Sequence, residues 1–225
     1  MACPPGTVTC RLHASLHEGG LPVTGDKRHR RTQAERSATT RAALMAAGRA
    51  LFGERGFAGT SREEIVERAG VTRGALYHHF AGKEDLFRAV FEEIEQEMTE
   101  HLAKVSLAAP DPLEALRVGC REFLDVAMAP AVQRIVLIDA PAVLGWATWR
   151  EVEARYGLGL VTMGLQAAMD AGVLARQPLQ PLAHMLLASL NEAALLVAGA
   201  DDPKQTRREV GVVVDHLIDR LASTG

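Results

Sequence analysis

Aromatic side chains are scarce in this chain of 225 residues, with Phe, Trp and Tyr together at 4%. Ala, Leu, Arg and Glu are plentiful instead, a balance that favours helices over a sheet. Period-2 alternation of useful length is also missing, as is any internal repeat, so the expected fold class is all-α. Three cysteines, Cys3, Cys10 and Cys120, are too few for a disulfide framework at this length. No uncharged run is long and apolar enough to span a bilayer. The first residues, MACPPGTVTCRLHASLHEGG, lack the continuous apolar stretch of a signal peptide. A cytoplasmic protein with no membrane partner is therefore expected. Catalytic signatures are absent too: there is no G-x-S-x-G, no G-x-x-x-x-G-K-[ST] and no H-E-x-x-H. GLGL at 157–160 lacks the third glycine and the preceding strand of a dinucleotide fingerprint. Neither an enzyme nor a cofactor is expected.

What is present is ample apolar content, 48%, and an uneven charge distribution beneath a formal net charge of −3. Residues 27–90 hold 13 Lys and Arg against 7 Asp and Glu, whereas residues 91–225 hold 11 against 19. A basic block joined to an acidic one suggests a polyanion-binding module attached to a second device. Three segments follow: an extension at 1–26, expected to be disordered, a basic module at 27–90 and an acidic body at 91–225. Cys10, His13 and His17 in the extension have spacings seen in metal sites, but ligands need a fold to hold them, so no metal site is expected.

After the basic run KRHRR at 27–31, Thr32 and Glu35 can form a capping box, and apolar residues recur at helical spacing to Arg55, with Gly56 as C-terminal cap. Thr60 or Ser61 caps a second helix with the buried stripe Ile65, Val66 and Ala69. Gly70 and Val71 make a turn, and Thr72 caps a third helix to about His79, with Leu76 and Phe80 inward. A fourth helix runs from Lys83 to about Val105. Prolines then divide the remainder into helices near 112–128, 131–138, 142–172 (interrupted), 181–199 and 204–222.

Two short helices joined by a tight Gly-containing turn form a helix-turn-helix, whose second helix reaches base edges in the major groove. Arg73 is the best candidate for a base contact, since a guanidinium can pair bidentately with guanine. Gly74 and Ala75 lack bulk and allow close approach. Tyr77, His78 and Lys83 can meet phosphates, which orient the protein and supply salt-sensitive affinity. Tyr77 has a competing reading as a core residue, His79 is read as structural, and KRHRR is either a solvated stretch or an arm on the DNA.

Residues 33–90, and above all GFAGTSREEIVERAG followed by VTRGALYHHFAGKEDLF, resemble the N-terminal domain of TetR-family repressors. The resemblance implies phosphate contacts at Ser61, Thr72, Tyr77, His78 and Lys83, and a base contact at Arg73 with Arg62, Gly74 and Ala75 near the groove. Glu63 departs from the pattern, standing where the family often carries a basic residue; Val66 stands where a smaller one is common. The resemblance further implies a helical body that binds a small-molecule effector and pairs two subunits, so that two heads straddle a near-palindromic operator. The segments LAHMLLASLNEAALLVAGA and VGVVVDHLIDRL are apolar on more than one face, which fits a homodimer through the last two helices as well as plain core burial. Candidate effector contacts are Phe123, Trp146, Trp149, Tyr156, Met128 and Met163, with Arg134, Asp139, His184 or Asn191 as polar anchors.

Overall fold

The computed structural model describes residues 32–222, so the expectations for the 1–26 extension, its Cys10–His13–His17 spacing and the 27–31 basic run lie outside it. The described residues contain α1 (Gln33–Arg55), α2 (Arg62–Ala69), α3 (Arg73–His79), α4 (Lys83–Leu107), α5 (Pro112–Val126), α6 (Pro130–Val132), a π-helical stretch (Gln133–Asp139), α7 (Ala140–Arg155), α8 (Gly157–Asp170), α9 (Leu179–Ala198) and α10 (Pro203–Ala222), and no strand among them.

Local chemistry sets most of these limits. The Asp111 carboxylate accepts from the N–H groups of Leu113 and Glu114 at 3.0 and 2.9 Å, and Pro112, which needs no partner for an N–H, starts α5. One departure from the expected helices and one expected interruption stand out. The 131–138 segment winds mostly as a π-helix and gives way to α7 just before Pro141, which has no N–H to carry a regular ladder across the junction. The long 142–172 segment is broken twice, at Gly145 with φ 77° and ψ 156°, and at Tyr156 between α7 and α8.

α4 organises the molecule. Its residues Leu86, Phe87, Val90, Phe91, Ile94, Met98 and Leu102 are buried along its length, so one apolar core continues through the 90/91 position. Toward its start, α1 and the loop after it pack on α4, with Phe52 and Phe57 edge-on to Phe87 at 5.1 and 5.2 Å between ring centroids. Truncating a fully buried ring such as Phe87 would cost about 3–5 kcal/mol. Toward its end, α4 packs on α5, α7 and α8. α10 is tied to α5 by Arg121–Asp215 (2.7 Å), Arg207–Asp125 (2.7 Å) and Arg117–Asp219.

α9 is long and apolar enough by length and composition to cross a bilayer, although Glu192 interrupts it and the expectation concerned uncharged runs. Its Ala183, Leu186, Leu187, Leu190, Ala193, Ala194 and Val197 are buried, which is the pattern of a core helix.

Candidate nucleic-acid interface and the cavity behind it

The reading head is built from caps. Ser61, not Thr60, is the N-cap of α2: its hydroxyl accepts from the Glu64 N–H at 3.2 Å, and the Glu64 carboxylate accepts from the Ser61 N–H at 2.9 Å and from its hydroxyl at 2.8 Å. The bonds from Ser61 hold the Glu64 carboxyl below its ordinary range. Arg68 grips Glu54 of α1 through both carboxylate oxygens (2.9 and 3.0 Å), which sets α2 across α1. Gly70 then takes the left-handed conformation (φ 65°) that lets its own N–H and that of Val71 close the helix. Thr72 caps α3, accepting from the Ala75 N–H at 3.3 Å.

These constraints divide the faces of α3. Leu76 and Phe80 are buried, whereas Thr72, Arg73, Gly74, Tyr77 and His78 are exposed, with Ala75 and His79 between. Ser61 and Arg62 stand exposed at the start of α2. Tyr77, at 43% exposure, belongs to the outer face and not to the core. Its hydroxyl accepts from Arg62 at 2.9 Å, and the Arg73 guanidinium lies 5.9 Å from its ring centroid, so the two helix starts are joined through one phenol. Contact with Tyr77, and then the Glu63 charge, push the Arg73 pKa further up. Glu63 lies 3.7 Å from Arg73, so the residue that departs from the family pattern occupies the proposed reader. Gly74 has open space: a Cβ there would meet only Thr72 Oγ1, at 3.9 Å. His78 and His79 are edge-on at 5.0 Å; burial, then His78 and Arg41, lower the His79 pKa, which favours its neutral form.

Lys83 is expected on a phosphate, yet its ammonium donates to the carbonyls of Phe57 (2.9 Å) and Thr60 (2.8 Å) and lies 4.1 Å from the Phe57 ring. Burial, then the Arg62 charge, lower its pKa. Two of its three protons thus clamp the loop between α1 and α2. From the other side, the Asp139 carboxylate at the end of the π-helical stretch accepts from the Phe57 N–H at 2.7 Å.

Behind the head, a cavity of about 450 Å³ opens between α4, α5, the π-helical stretch, α7, α8 and α9. Phe123, Trp149 and Asn191 line it as expected, and Met163 with Leu107 (87% exposed) marks its mouth. Six expected contacts do not line it. Arg134 is exposed beside Gly56; Trp146 is 66% exposed and stacks on Trp149 from outside (4.9 Å); Tyr156 packs at the break between α7 and α8; the His184 ring faces Arg150 at 3.1 Å. Met128 and Asp139 are also outside the lining.

Two carboxyl groups that sequence reasoning missed lie in the wall, Glu95 and Glu153. Glu153 is held by Arg150 (2.7 Å) and Asn191, but burial outweighs these partners and raises its pKa. Burial, and then Glu153, push the Glu95 carboxyl up to about 8. The signal was available: Glu95 interrupts the stripe Phe91, Ile94, Met98 and Leu102 at a position that would otherwise be apolar. Burial also pushes the Cys120 thiol up to about 12, leaving it unreactive.

Comparison with known proteins agrees with this architecture. The family described as "Bacterial regulatory proteins, tetR family" matches residues 44–90, and "Tetracyclin repressor-like, C-terminal domain" matches residues 113–221. The regulator YfiR of Bacillus subtilis is 30% identical over 167 residues, covering 67% of this chain and 74% of the relative. CymR of Pseudomonas putida, a helix-turn-helix transcriptional regulator, is 35% identical over 55% of this chain and 63% of its own length. Several curated relatives, CymR among them, are matched over only 42–63% of their length. A crystal structure of a TetR-family transcriptional regulator from Pectobacterium atrosepticum superposes with TM-score 0.75 at 38% identity, covering 85% of this chain and 98% of that one.

Proposed function

The chain belongs to the TetR family of bacterial regulatory proteins, and we propose that it is a sequence-specific DNA-binding transcriptional repressor, not an enzyme, released from its operator by a small-molecule effector. The observation that carries this reading is the division of faces on α3, with Leu76 and Phe80 anchored inside and Arg73, Gly74, Tyr77 and His78 presented together outside. Arg73 reads a base, and Gly74 and Ala75 permit the approach. Thr72, Tyr77 and His78 bind phosphates, with Arg62 beside them. Ser61 and Lys83 contribute chiefly by fixing α2 and its preceding loop, since their polar groups are already bonded there.

A near-palindromic operator needs two heads. Met185, Leu195 and Leu196 on α9 and Val212, Val213 and Leu217 on α10 form two exposed apolar stripes. Paired with their mates, these stripes make a self-complementary four-helix interface. The cavity is the effector site, of a size suited to a small molecule. The π-helical stretch offers the route to the head, because Val136 and Leu137 line the cavity while Asp139, two residues on, holds the Phe57 N–H. An effector that favours a different arrangement of this stretch would disfavour the DNA-binding state. Such a regulator works in the cytoplasm, beside the DNA.

The test is fluorescence anisotropy with a duplex from upstream of its own gene, alongside sedimentation of the wild type and Leu196→Asp. A salt-sensitive complex with a dimer is expected, and a charge in the apolar stripe should separate the subunits and abolish tight binding. A monomeric wild type, or binding no tighter than to a scrambled duplex, would sink the proposal.

A further inference from the structure

Glu95 is only 6% exposed and lies in a wall made otherwise mostly of apolar side chains. Among the described residues no side chain is seen bonded to its carboxyl, and none of its oxygens is sealed from the cavity that Glu95 lines. Burial disfavours the charged form of this carboxyl, a penalty that a partner of opposite charge would offset. Its one charged neighbour in the cavity, Glu153, has the same sign and is already bonded to Arg150 and Asn191. No Lys, Arg or His is among the lining residues. An ammonium arriving beside Glu95 would draw the proton off its carboxyl and pair with the carboxylate on an apolar bed, a gain that a neutral or anionic ligand of the same shape does not bring.

Resting on the reading of this cavity as the effector site, we propose that the effector is a lipophilic amine, an arylalkyl ammonium in class, held by the Glu95 carboxylate with its apolar body between Phe123, Trp149 and Met98. Glu153, already bonded to Arg150 and Asn191, leaves Glu95 as the acceptor open to the ammonium. The mouth beside Leu107 and Met163 admits the molecule, and the cavity's 450 Å³ accommodates a bicyclic aromatic.

Three probes of one shape separate the chemistry: 1-naphthylmethylamine, 1-naphthylmethanol and 1-naphthoate, each titrated calorimetrically into the full chain without DNA. The amine is expected to bind at least about tenfold tighter than the alcohol, and the acid not at all. In Glu95→Gln the amine should lose that advantage and bind about as the alcohol does, with helical circular dichroism and cooperative thermal unfolding showing an intact fold. Equal affinities in the wild type, no binding of the amine, or an advantage that persists in Glu95→Gln would overturn the proposal. Because DNA is left out, a regulator that fails to release its operator leaves this result standing. Conversely, release by a neutral or anionic compound, with no amine binding, would overturn the inference and leave the regulator intact.

Discussion

Replacing Gly74 by alanine should strengthen the fold and weaken the function. Gly74 is the second residue of α3, and a Cβ there meets only Thr72 Oγ1, at the ordinary contact distance of 3.9 Å. Nothing inside the protein requires a glycine. Alanine is favoured over glycine by up to about 1 kcal/mol in a helix, and at this early position roughly 0.5 kcal/mol is expected, a rise of about 1–2 °C in Tm. On DNA the added methyl would stand between the α3 backbone and the groove. Overpacking a close contact costs roughly 1–3 kcal/mol, or about five- to 150-fold in affinity. Urea or thermal unfolding reads the first effect, and anisotropy with the upstream duplex reads the second. A variant that is stabilised yet binds like the wild type would show that the α3 backbone does not approach DNA at this point. A destabilised variant would refute the account of free space around Gly74.

Other perturbations follow from the same geometry. Glu63→Gln removes a carboxylate that faces both Arg73 and incoming phosphates, so affinity should rise a few-fold at low salt, and an unchanged or lowered affinity would count against Arg73 as the reader. Asp139→Ala strips the acceptor from the Phe57 N–H and should cost about 2 kcal/mol in denaturant unfolding, whereas Asp139→Asn, which keeps an acceptor, should cost less than half of that. Glu95 takes up a proton on folding because its pKa stands near 8 in the native chain, above the unfolded value. Its contribution is therefore complete below about pH 4.5 and is lost as pH rises through 8, on the order of 4 kcal/mol between pH 5 and 8. Glu95→Gln should flatten that decline in Tm, and an unchanged slope would show that Glu153 and other groups produce it.

The head was legible because its determinants are local. Glu64 lies three residues after Ser61, Gly70 closes the helix it follows, and Thr72 caps the helix it precedes; each acts within one turn of chain. The bonds that Lys83 makes to the loop after α1 were not legible, since its acceptors are carbonyls 23 and 26 residues away and no spacing encodes them. The cavity was read least well. Arg134, Trp146, Tyr156 and His184 were chosen by residue type, but membership in a cavity depends on how helices cross and on where α7 breaks at Gly145. The π-helical winding is equally hidden, because the segment's composition is that of an ordinary helix. Glu95 was within reach: a carboxylate in the middle of an apolar stripe is a question that the periodicity itself raises.

The central claim is that the outer face of α3 reads sequence through Arg73. Its most direct test is the ratio of affinities for the upstream duplex and for a scrambled duplex, measured for the wild type and Arg73→Ala across a salt series. The account predicts that Arg73→Ala lowers that ratio by about tenfold or more, with the loss traced to one base position in each half-site. An unchanged ratio, with both affinities falling together, would contradict it and make Arg73 one more phosphate contact.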